Sequence, residues 1–500
     1  MGIDALLIKV AVVVCAAIVP CFMASAQNDN DPFEKIRQTM DKRFEEVRQD
    51  NERVFNNYRD RINHEFSIYL EREWEKTSLS KVIPNPFKPE PKPVVDNIPA
   101  EDSDPLPHVI PLEDNEEKPQ PKPVEPIHPI VPDEPNPSPE SNVISFSFFG
   151  SICKIHIPTP KEYALKDASM EEVGKAWDIL IGDNYNNMLI ECLEYRDSMA
   201  LCDWGMYQFL LAITEKYCGS RVSNDAILMQ MFVLCQLGYR VRLAKQGDQL
   251  INLIAFDTPV FGAPYLELDG VAFYNLSESD SKGEIQICNY AFPGEKSASL
   301  KMRSLPVLPE DLNAARSVRS NSFSVAAVSV RTNKNLIKFL DTYPGCSWEL
   351  FAQASLSQSV KDQIYPALKR AVAGQTEQRA ANILLNFVQT GFEYKTDDEQ
   401  FGREKTFFGD ETFYYPFCDC EDRSVLFAIL VKDLLGLRVV LLDYPSHIAT
   451  AVHFNSETIG DYFDIEGVRY TICDPTYIGA PIGKSMPDML KLRANILKVN

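Results

Sequence analysis

The chain has 500 residues, which is enough for two or three domains with sizeable cores. Its formal net charge of −21 argues against nucleic acid as a partner, because phosphate binding needs an excess of Lys and Arg. Twelve cysteines in a chain of this length are ordinary usage and exclude a disulfide-rich scaffold.

Residues 1–26 have the pattern of a secretory signal peptide. A single basic residue, Lys9, precedes an apolar segment from Val10 to Met23, and Ala24-Ser25-Ala26 offers small residues for cleavage. The apolar segment is short for a membrane span. We therefore expect a secreted chain that begins at Gln27, is periplasmic or extracellular, and has no transmembrane span.

Residues 27–80 predict a long amphipathic helix, centred on 31–76, with an 11-residue repeat. Phenylalanine recurs at positions 33, 44, 55 and 66. This period corresponds to about 3.67 residues per turn and is typical of a straight or slightly right-handed coiled coil. A ridge of phenylalanine in water is unfavourable. The helix is therefore expected to pack on its own domain, to self-associate, or to dock on an envelope partner.

Residues 81–142 predict a proline-rich, disordered linker. Eighteen of the 34 prolines lie between residues 82 and 141, together with 13 acidic residues and 4 lysines. Such a composition cannot form a core and stays extended and solvated. We interpret the segment as a semi-rigid spacer.

Residues 143–325 predict a first globular domain. An apolar helix opens at Asn224-Asp225-Ala226, ends at Leu237-Gly238 and is followed by apolar segments at 239–243 and 250–256. A helix followed by strands is consistent with an α+β fold.

Residues 326–500 predict a second domain, organised around Cys420. Acidic residues followed by apolar residues at helical spacing predict a helix that begins at Cys420 and ends near Gly436. A helix N-terminus carries about half a positive charge, so a lowered pKa is expected for the Cys420 thiol. Free N–H groups at this end can also stabilise an oxyanion during acyl transfer.

A candidate base and a candidate orienting acid follow Cys420. His447 begins an alternating strand, and Asp474 lies at the end of another. A nucleophile, a base and an orienting acid on consecutive elements predict a Cys420–His447–Asp474 triad. His453 shares a strand face with His447 and is the alternative base. Asp474 precedes Pro475, so it could also be a simple turn residue.

Two further features have more than one interpretation. Cys420 is either the nucleophile or a structural thiol, inert or bonded to Cys418 or Cys473. The aromatic residues between positions 392 and 417 either wall a substrate groove or belong to the core.

These motifs resemble the transglutaminase-like superfamily, which has a papain-like fold. Asp419-Cys420-Glu421-Asp422 opens a helix, His447 opens a strand and Asp474-Pro475-Thr476 closes one, within a match over residues 375–485. The resemblance implies that Cys420, His447 and Asp474 are the catalytic residues. Glu421 stands where crosslinking members have Trp, and Ala449 stands where an aromatic residue often follows the histidine. The resemblance therefore implies the fold and a thiol site more than it implies crosslinking.

The first domain aligns with the second as a degenerate copy. Residues 222–256 align with 420–454 without a gap, and 265–271 align with 462–468. The residues at the three triad positions cannot supply the thiolate or the base. Val222 replaces Cys420, Gln249 replaces His447 and Ser277 replaces Asp474.

The sequence thus predicts an α+β protein with two papain-like, transglutaminase-like domains preceded by a long α-helix and a Pro-rich disordered linker. Its expected function is that of a secreted cysteine peptidase or acyltransferase, which acts through Cys420, His447 and Asp474 on peptide or isopeptide amides. The alternative is a non-catalytic envelope binding or assembly protein. No cofactor is implied, and the six dispersed histidines form no pattern of metal ligands.

Overall fold

The computed structural model describes residues 34–79, 81–86, 142–157, 163–182, 185–277 and 283–499. The predicted leader (1–26) and most of the predicted linker (87–141) lie outside these residues. The chain divides into two compact units, Met1–Arg61 and Ile62–Asn500. The described part is a mixed α+β structure.

The long N-terminal helix, α1, spans Glu34–Tyr69. Its predicted continuation to residue 76 is wrong, because Glu75–Leu79 form a strand, β1. This strand pairs antiparallel with Gly283–Cys288, and Leu79 is fully buried. The predicted start of the linker at residue 81 is also wrong, since Lys81–Val82 form strand β2 and pair with residues 264–265. Pairing and burial within the sheet override the local sequence signals.

Helices and strands follow one another through the first half of the compact unit. They are β3 (Asn142–Phe148), β4 (Ser151–Ile157), α2 (Met170–Gly182), α3 (Asn186–Ser198), α4 (Asp203–Cys218), α5 (Asn224–Gln236), β5 (Val241–Gln246), β6 (Gln249–Ala255), β7 (Pro264–Leu268), β8 (Val271–Asn275), β9 (Gly283–Cys288), β10 (Arg316–Arg319) and β11 (Ala327–Val330).

The second half contains helices followed by a second sheet. Its elements are α6 (Lys334–Leu340), α7 (Trp348–Gln353), α8 (Gln358–Val372), α9 (Glu377–Gly391), β12 (Glu393–Tyr394), α10 (Asp397–Phe401), α11 (Gly409–Tyr414), β13 (Phe417–Cys418), α12 (Cys420–Leu435), β14 (Arg438–Tyr444), β15 (His447–His453), β16 (Tyr462–Ile465), β17 (Val468–Cys473) and β18 (Asn495–Val499).

The two main sheets have the same order in four adjacent strands, with β5-β6-β8-β7 of the first equivalent to β14-β15-β17-β16 of the second. The first has seven strands, β1-β9-β5-β6-β8-β7-β2, and the second has five, β18-β14-β15-β17-β16. Their central hairpins also share a register. Val241 pairs with Ile254 in the first sheet, and Val439 pairs with Val452 in the second. These are equivalent positions in the alignment of 222–256 with 420–454.

Each sheet is buried on both faces where the hairpins pair. Val439 and Leu441 of β14 join a hydrophobic cluster that includes buried residues of both halves, whereas Val440 and Leu442 join a smaller cluster on the opposite face. Helix α12 packs on β14 and β15 and is buried along most of its length. This packing fixes the helix N-terminus beside the start of β15, where the candidate site lies.

The predicted boundary between the two globular domains, at residues 325 and 326, falls in the turn between β10 and β11. Both halves belong to the unit Ile62–Asn500. Among the helices that the structure describes, none combines the length and the apolar character needed to cross a bilayer.

Candidate active site

Helix α12 places Cys420 at the edge of the second sheet. Cys420 is its first residue, and Gly436 ends it in the left-handed conformation at φ 66°. The backbone N–H of Asp419 donates to Asp422 Oδ2 (3.3 Å), which is the reciprocal arm of a capping box. The acidic residues around Cys420 therefore help to start the helix as well as to surround the thiol.

The structure brings His447 and Asp474 together. His447 is the first residue of β15, and its Nε2 lies 2.9 Å from Asp474 Oδ2. Asp474 follows β17 directly, and its Oδ1 accepts hydrogen bonds from the backbone N–H groups of Thr476 (2.8 Å) and Tyr477 (3.2 Å). These bonds fix the carboxylate and leave Oδ2 for the imidazole. His447 Nδ1 is buried and has no partner among the described residues.

The alternative base, His453, does not join this pair. It lies at the other end of β15, and its Nδ1 donates to the carbonyl of Arg469 (3.0 Å). The two histidines are the first and the last residue of this seven-residue strand.

The Cys420 thiol lies beside the residue that follows His447. The backbone N–H of Ile448 donates to Sγ. Sγ itself donates to Glu421 Oε2 (3.0 Å) rather than to the imidazole. Cys420 is 1% exposed, and His447 and Asp474 are buried as well. All three side chains are thus enclosed, and the thiol proton is directed towards a carboxylate.

The expected lowering of the Cys420 pKa is wrong. Burial raises the pKa of this thiol well above its usual value, and the nearby charges of Glu421 and Asp419 raise it further. The hydrogen bond from Ile448 acts in the opposite direction but does not prevail. Desolvation of the thiolate and its repulsion by nearby carboxylates therefore affect the pKa of Cys420 more than the positive end of the helix does.

Three carboxylates converge next to the thiol, although the sequence shows no pattern of metal ligands. Single oxygen atoms of Asp397, Asp419 and Glu421 lie within 4.8 Å of one another, and all three residues are buried. Burial and the charge of Glu421 raise the pKa of Asp397 to about 8 and that of Asp419 well above its usual value. Oxygen donors of this kind are suited to Ca²⁺ or Mg²⁺. Sequence reasoning missed the set because Asp397 lies on α10, outside the cysteine motif.

Two buried polar residues support the site from α9 and α12. Gln389 Nε2 donates to the carbonyls of Asp474 (3.0 Å), Tyr477 (2.8 Å) and Ala480 (3.0 Å). Arg423 donates to the carbonyls of Gln389 (3.2 Å) and of residue 392 (2.9 Å). Gln389 therefore holds the segment that carries Asp474. The only sequence signal was a glutamine directly after the apolar stripe of α9.

The structure bears on the two features that had more than one interpretation, the Cys420 thiol and the aromatic segment before it. Cys418, Cys420 and Cys473 are thiols and form no disulfide with one another. Phe407, Phe408 and Phe413 are almost completely buried, as core residues are. These three residues therefore belong to the core, whereas Tyr414, Tyr415 and Phe417 are half-buried.

The equivalent positions of the first half also meet. Gln249 Nε2 donates to the carbonyl of Val222 (2.7 Å), so the residues at the positions of the base and the thiol are in contact there. Ser277, at the third position, donates from Oγ to Asn275 Oδ1 (2.6 Å). Val222 is 49% exposed, whereas Cys420 is buried. The first half keeps this geometry without a nucleophile or a base.

Comparison of the chain with protein-family models, with curated proteins and with solved structures gave no match.

Proposed function

We propose that this protein is a secreted cysteine enzyme of the transglutaminase-like, papain-like type, which acts on peptide or isopeptide amides. The observation that carries the proposal is the His447–Asp474 bond of 2.9 Å, which leaves Nδ1 of the same imidazole buried and unpartnered. An imidazole held in this way has one nitrogen oriented by a carboxylate and the other available for a proton.

In the proposed reaction, His447 Nδ1 removes the proton from Cys420 Sγ as the sulfur attacks the carbonyl carbon of an amide. The C–N bond then breaks, and His447 returns the proton to the leaving amine. The product is a thioester on Cys420. Water releases it as an acid, or a second amine releases it as a new amide, and the thiol re-forms in either case.

The bond between Cys420 and Glu421 belongs to a resting state in this proposal. A neutral thiol with a raised pKa is a weak nucleophile, so the base must act during the attack rather than before it. Entry of a substrate requires the site to open, since Cys420 and His447 are enclosed. The enzyme would therefore be inactive until a substrate displaces the covering side chains.

The test is turnover of a denatured protein substrate, assayed both for new peptide amino groups and for incorporation of a fluorescent primary amine. Native protein is expected to show one of the two activities, and Cys420→Ser is expected to abolish it. Cys418→Ser is the matched control, because Cys418 is equally buried two residues away and has no catalytic role in the proposal. Equal activity of the native protein and Cys420→Ser would contradict the assignment.

A non-catalytic binding or assembly role is the second candidate. The specific observation in its favour is the enclosed, protonated thiol with a pKa well above the usual range. A first half that keeps the sheet without the triad residues is consistent with the same role. Complete absence of both activities, in protein whose Cys420 is a free thiol, would favour this candidate.

A further inference from the structure

Helix α1 has apolar positions spaced by three, four and four residues. Phe55, Tyr58, Ile62 and Phe66 follow this spacing, which covers 11 residues in three turns. The same columns contain Val47 further upstream. Val54 lies next to these columns. With a turn of about 98° per residue, it is about 30° from Tyr58 around the helix axis. One apolar stripe therefore runs along the helix.

The C-terminal part of the stripe belongs to the unit that starts at Ile62, and there it is buried. Ile62 is 9% exposed and Phe66 is fully buried. The Phe66 ring contacts Trp177 at 4.5 Å and Phe292 at 5.0 Å between ring centroids. In this segment, the apolar residues of the stripe are therefore buried by packing.

The N-terminal part of the stripe contains three exposed residues, beside the half-buried Phe55. Val47 is 52% exposed, Val54 is 58% exposed and Tyr58 is 43% exposed. These three residues, which we call the upstream stripe, all lie within the first 28 residues of the helix, a length of about 42 Å at 1.5 Å per residue. An amphipathic helix of this length depends on packing for its stability, so the upstream stripe needs a partner.

The charges of the helix favour a second copy as that partner. Glu34–Tyr69 contains eight basic and eight acidic residues, whereas the whole chain has a net charge of −21. Two such helices can approach without net repulsion and can form pairs between their polar flanks. A strongly basic or strongly acidic partner has no matching surface here. The regular 11-residue period also matches a second helix of the same period better than an irregular surface.

We propose that residues 34–61 pair with the same segment of a second copy of this chain, through the upstream stripe, as a right-handed coiled coil. This assigns a self-association surface, and it is independent of the proposed enzyme activity. The globular parts of two chains would then be joined through their N-terminal helices.

The test is the molar mass of the full chain by light scattering during size-exclusion chromatography. Native protein is expected to elute at twice its sequence mass. The double variant Val47→Glu/Tyr58→Glu places charges in the stripe and is expected to elute at the monomer mass. Lys42→Gln/Asn57→Glu is the matched control, because it changes the net charge equally at two exposed positions outside the stripe, and it is expected to remain dimeric.

Circular dichroism and thermal unfolding keep the comparison interpretable, since all three proteins are expected to unfold alike in the globular unit. A monomeric native chain would overturn the proposal. So would a stripe variant that stays dimeric, or a control variant that dissociates to the same extent.

Discussion

The two halves of the compact unit share a sheet but differ at the position where chemistry is expected. Both have the same order and hairpin register for their central strands, and in both the strand after the hairpin turn starts beside a helix N-terminus. The second half places Cys420, His447 and Asp474 there. The first half places Val222, Gln249 and Ser277, and connects two of these positions by a 2.7 Å hydrogen bond.

The acidic residues differ in the same way. Asp419, Glu421 and Asp422 of the second half align with Arg221, Ser223 and Asn224 of the first. Ser223 caps helix α5 with its side chain, as an ordinary helix start requires. The second half starts its helix with a capping box of Asp419 and Asp422 instead. The comparison teaches that the fold tolerates either set of residues, and that the second half has the set with the larger desolvation cost.

The largest expected effect comes from replacing His447 with glutamine, the residue at the equivalent position of the first half. His447→Gln removes the proton acceptor and is expected to lower amide turnover by about 10³-fold, because general-base catalysis contributes about 10² to 10⁴. Turnover of the protein substrate is the measurement. Gln249→Ala, at the equivalent position, is the control and should leave turnover unchanged. Full activity of His447→Gln would remove the base from the account.

The orienting acid is expected to matter less. Asp474→Asn keeps an acceptor for Thr476 and Tyr477 but loses the charge beside His447, so turnover should fall, though by less than in His447→Gln. The pH dependence of turnover is the informative readout, since a merely structural loss would not displace the profile. Ser277→Ala in the first half provides the control. An unchanged profile with reduced stability would make Asp474 a turn residue only.

Removal of the charge next to the thiol is expected to have a smaller effect. Glu421→Gln should lower the pKa of Cys420, because one cause of the raised pKa disappears while burial remains. The midpoint of Cys420 alkylation against pH measures this change. Glu399→Gln, an exposed residue in the first turn of α10, is the control. A midpoint that stays in place would show that Glu421 does not govern the thiol.

The smallest expected effect concerns stability. Asp397 has a pKa of about 8 in the folded chain and about 3.9 when unfolded, so the folded state holds a proton that the unfolded state releases between these values. Folding stability should therefore fall as pH rises from about 4 to about 8. Asp397→Asn should be more stable than the native chain by about 1 kcal/mol at pH 8, and equally stable near pH 4.

Urea unfolding at both pH values measures the effect of Asp397→Asn. The neighbouring, exposed Asp398→Asn is the control and should show no pH-dependent difference. A native chain that is more stable than Asp397→Asn at pH 8 would contradict the burial argument.

Local sequence patterns were sufficient to predict several elements of the second half. The helix from Cys420 and its end at Gly436 were predicted from capping residues and apolar spacing. The strand from His447 was predicted from alternation. The predicted α+β class is confirmed in its coarse form. These features depend on neighbours in sequence, which is the information that a pattern contains.

Features that depend on distant contacts were not predictable. Strand β1 forms because Glu75–Leu79 pair with β9, more than 200 residues away. The pKa of Cys420 is decided by burial and by Glu421 together with Asp419, and a helix-end argument cannot weigh these against the dipole. Asp397 reaches the site from another helix, and Gln389 supports it from a third. Strand pairing, burial and contacts of this kind arise only when distant parts of the chain pack together.

The most direct test of the account is the rate of iodoacetamide alkylation at Cys420 from about pH 4 to pH 9, measured by peptide mass spectrometry in native protein and in His447→Ala. The account predicts that native Cys420 reacts faster than the His447→Ala thiol at neutral pH, because His447 accepts its proton. Equal rates in both proteins at every pH in this range would contradict a catalytic Cys420–His447 pair.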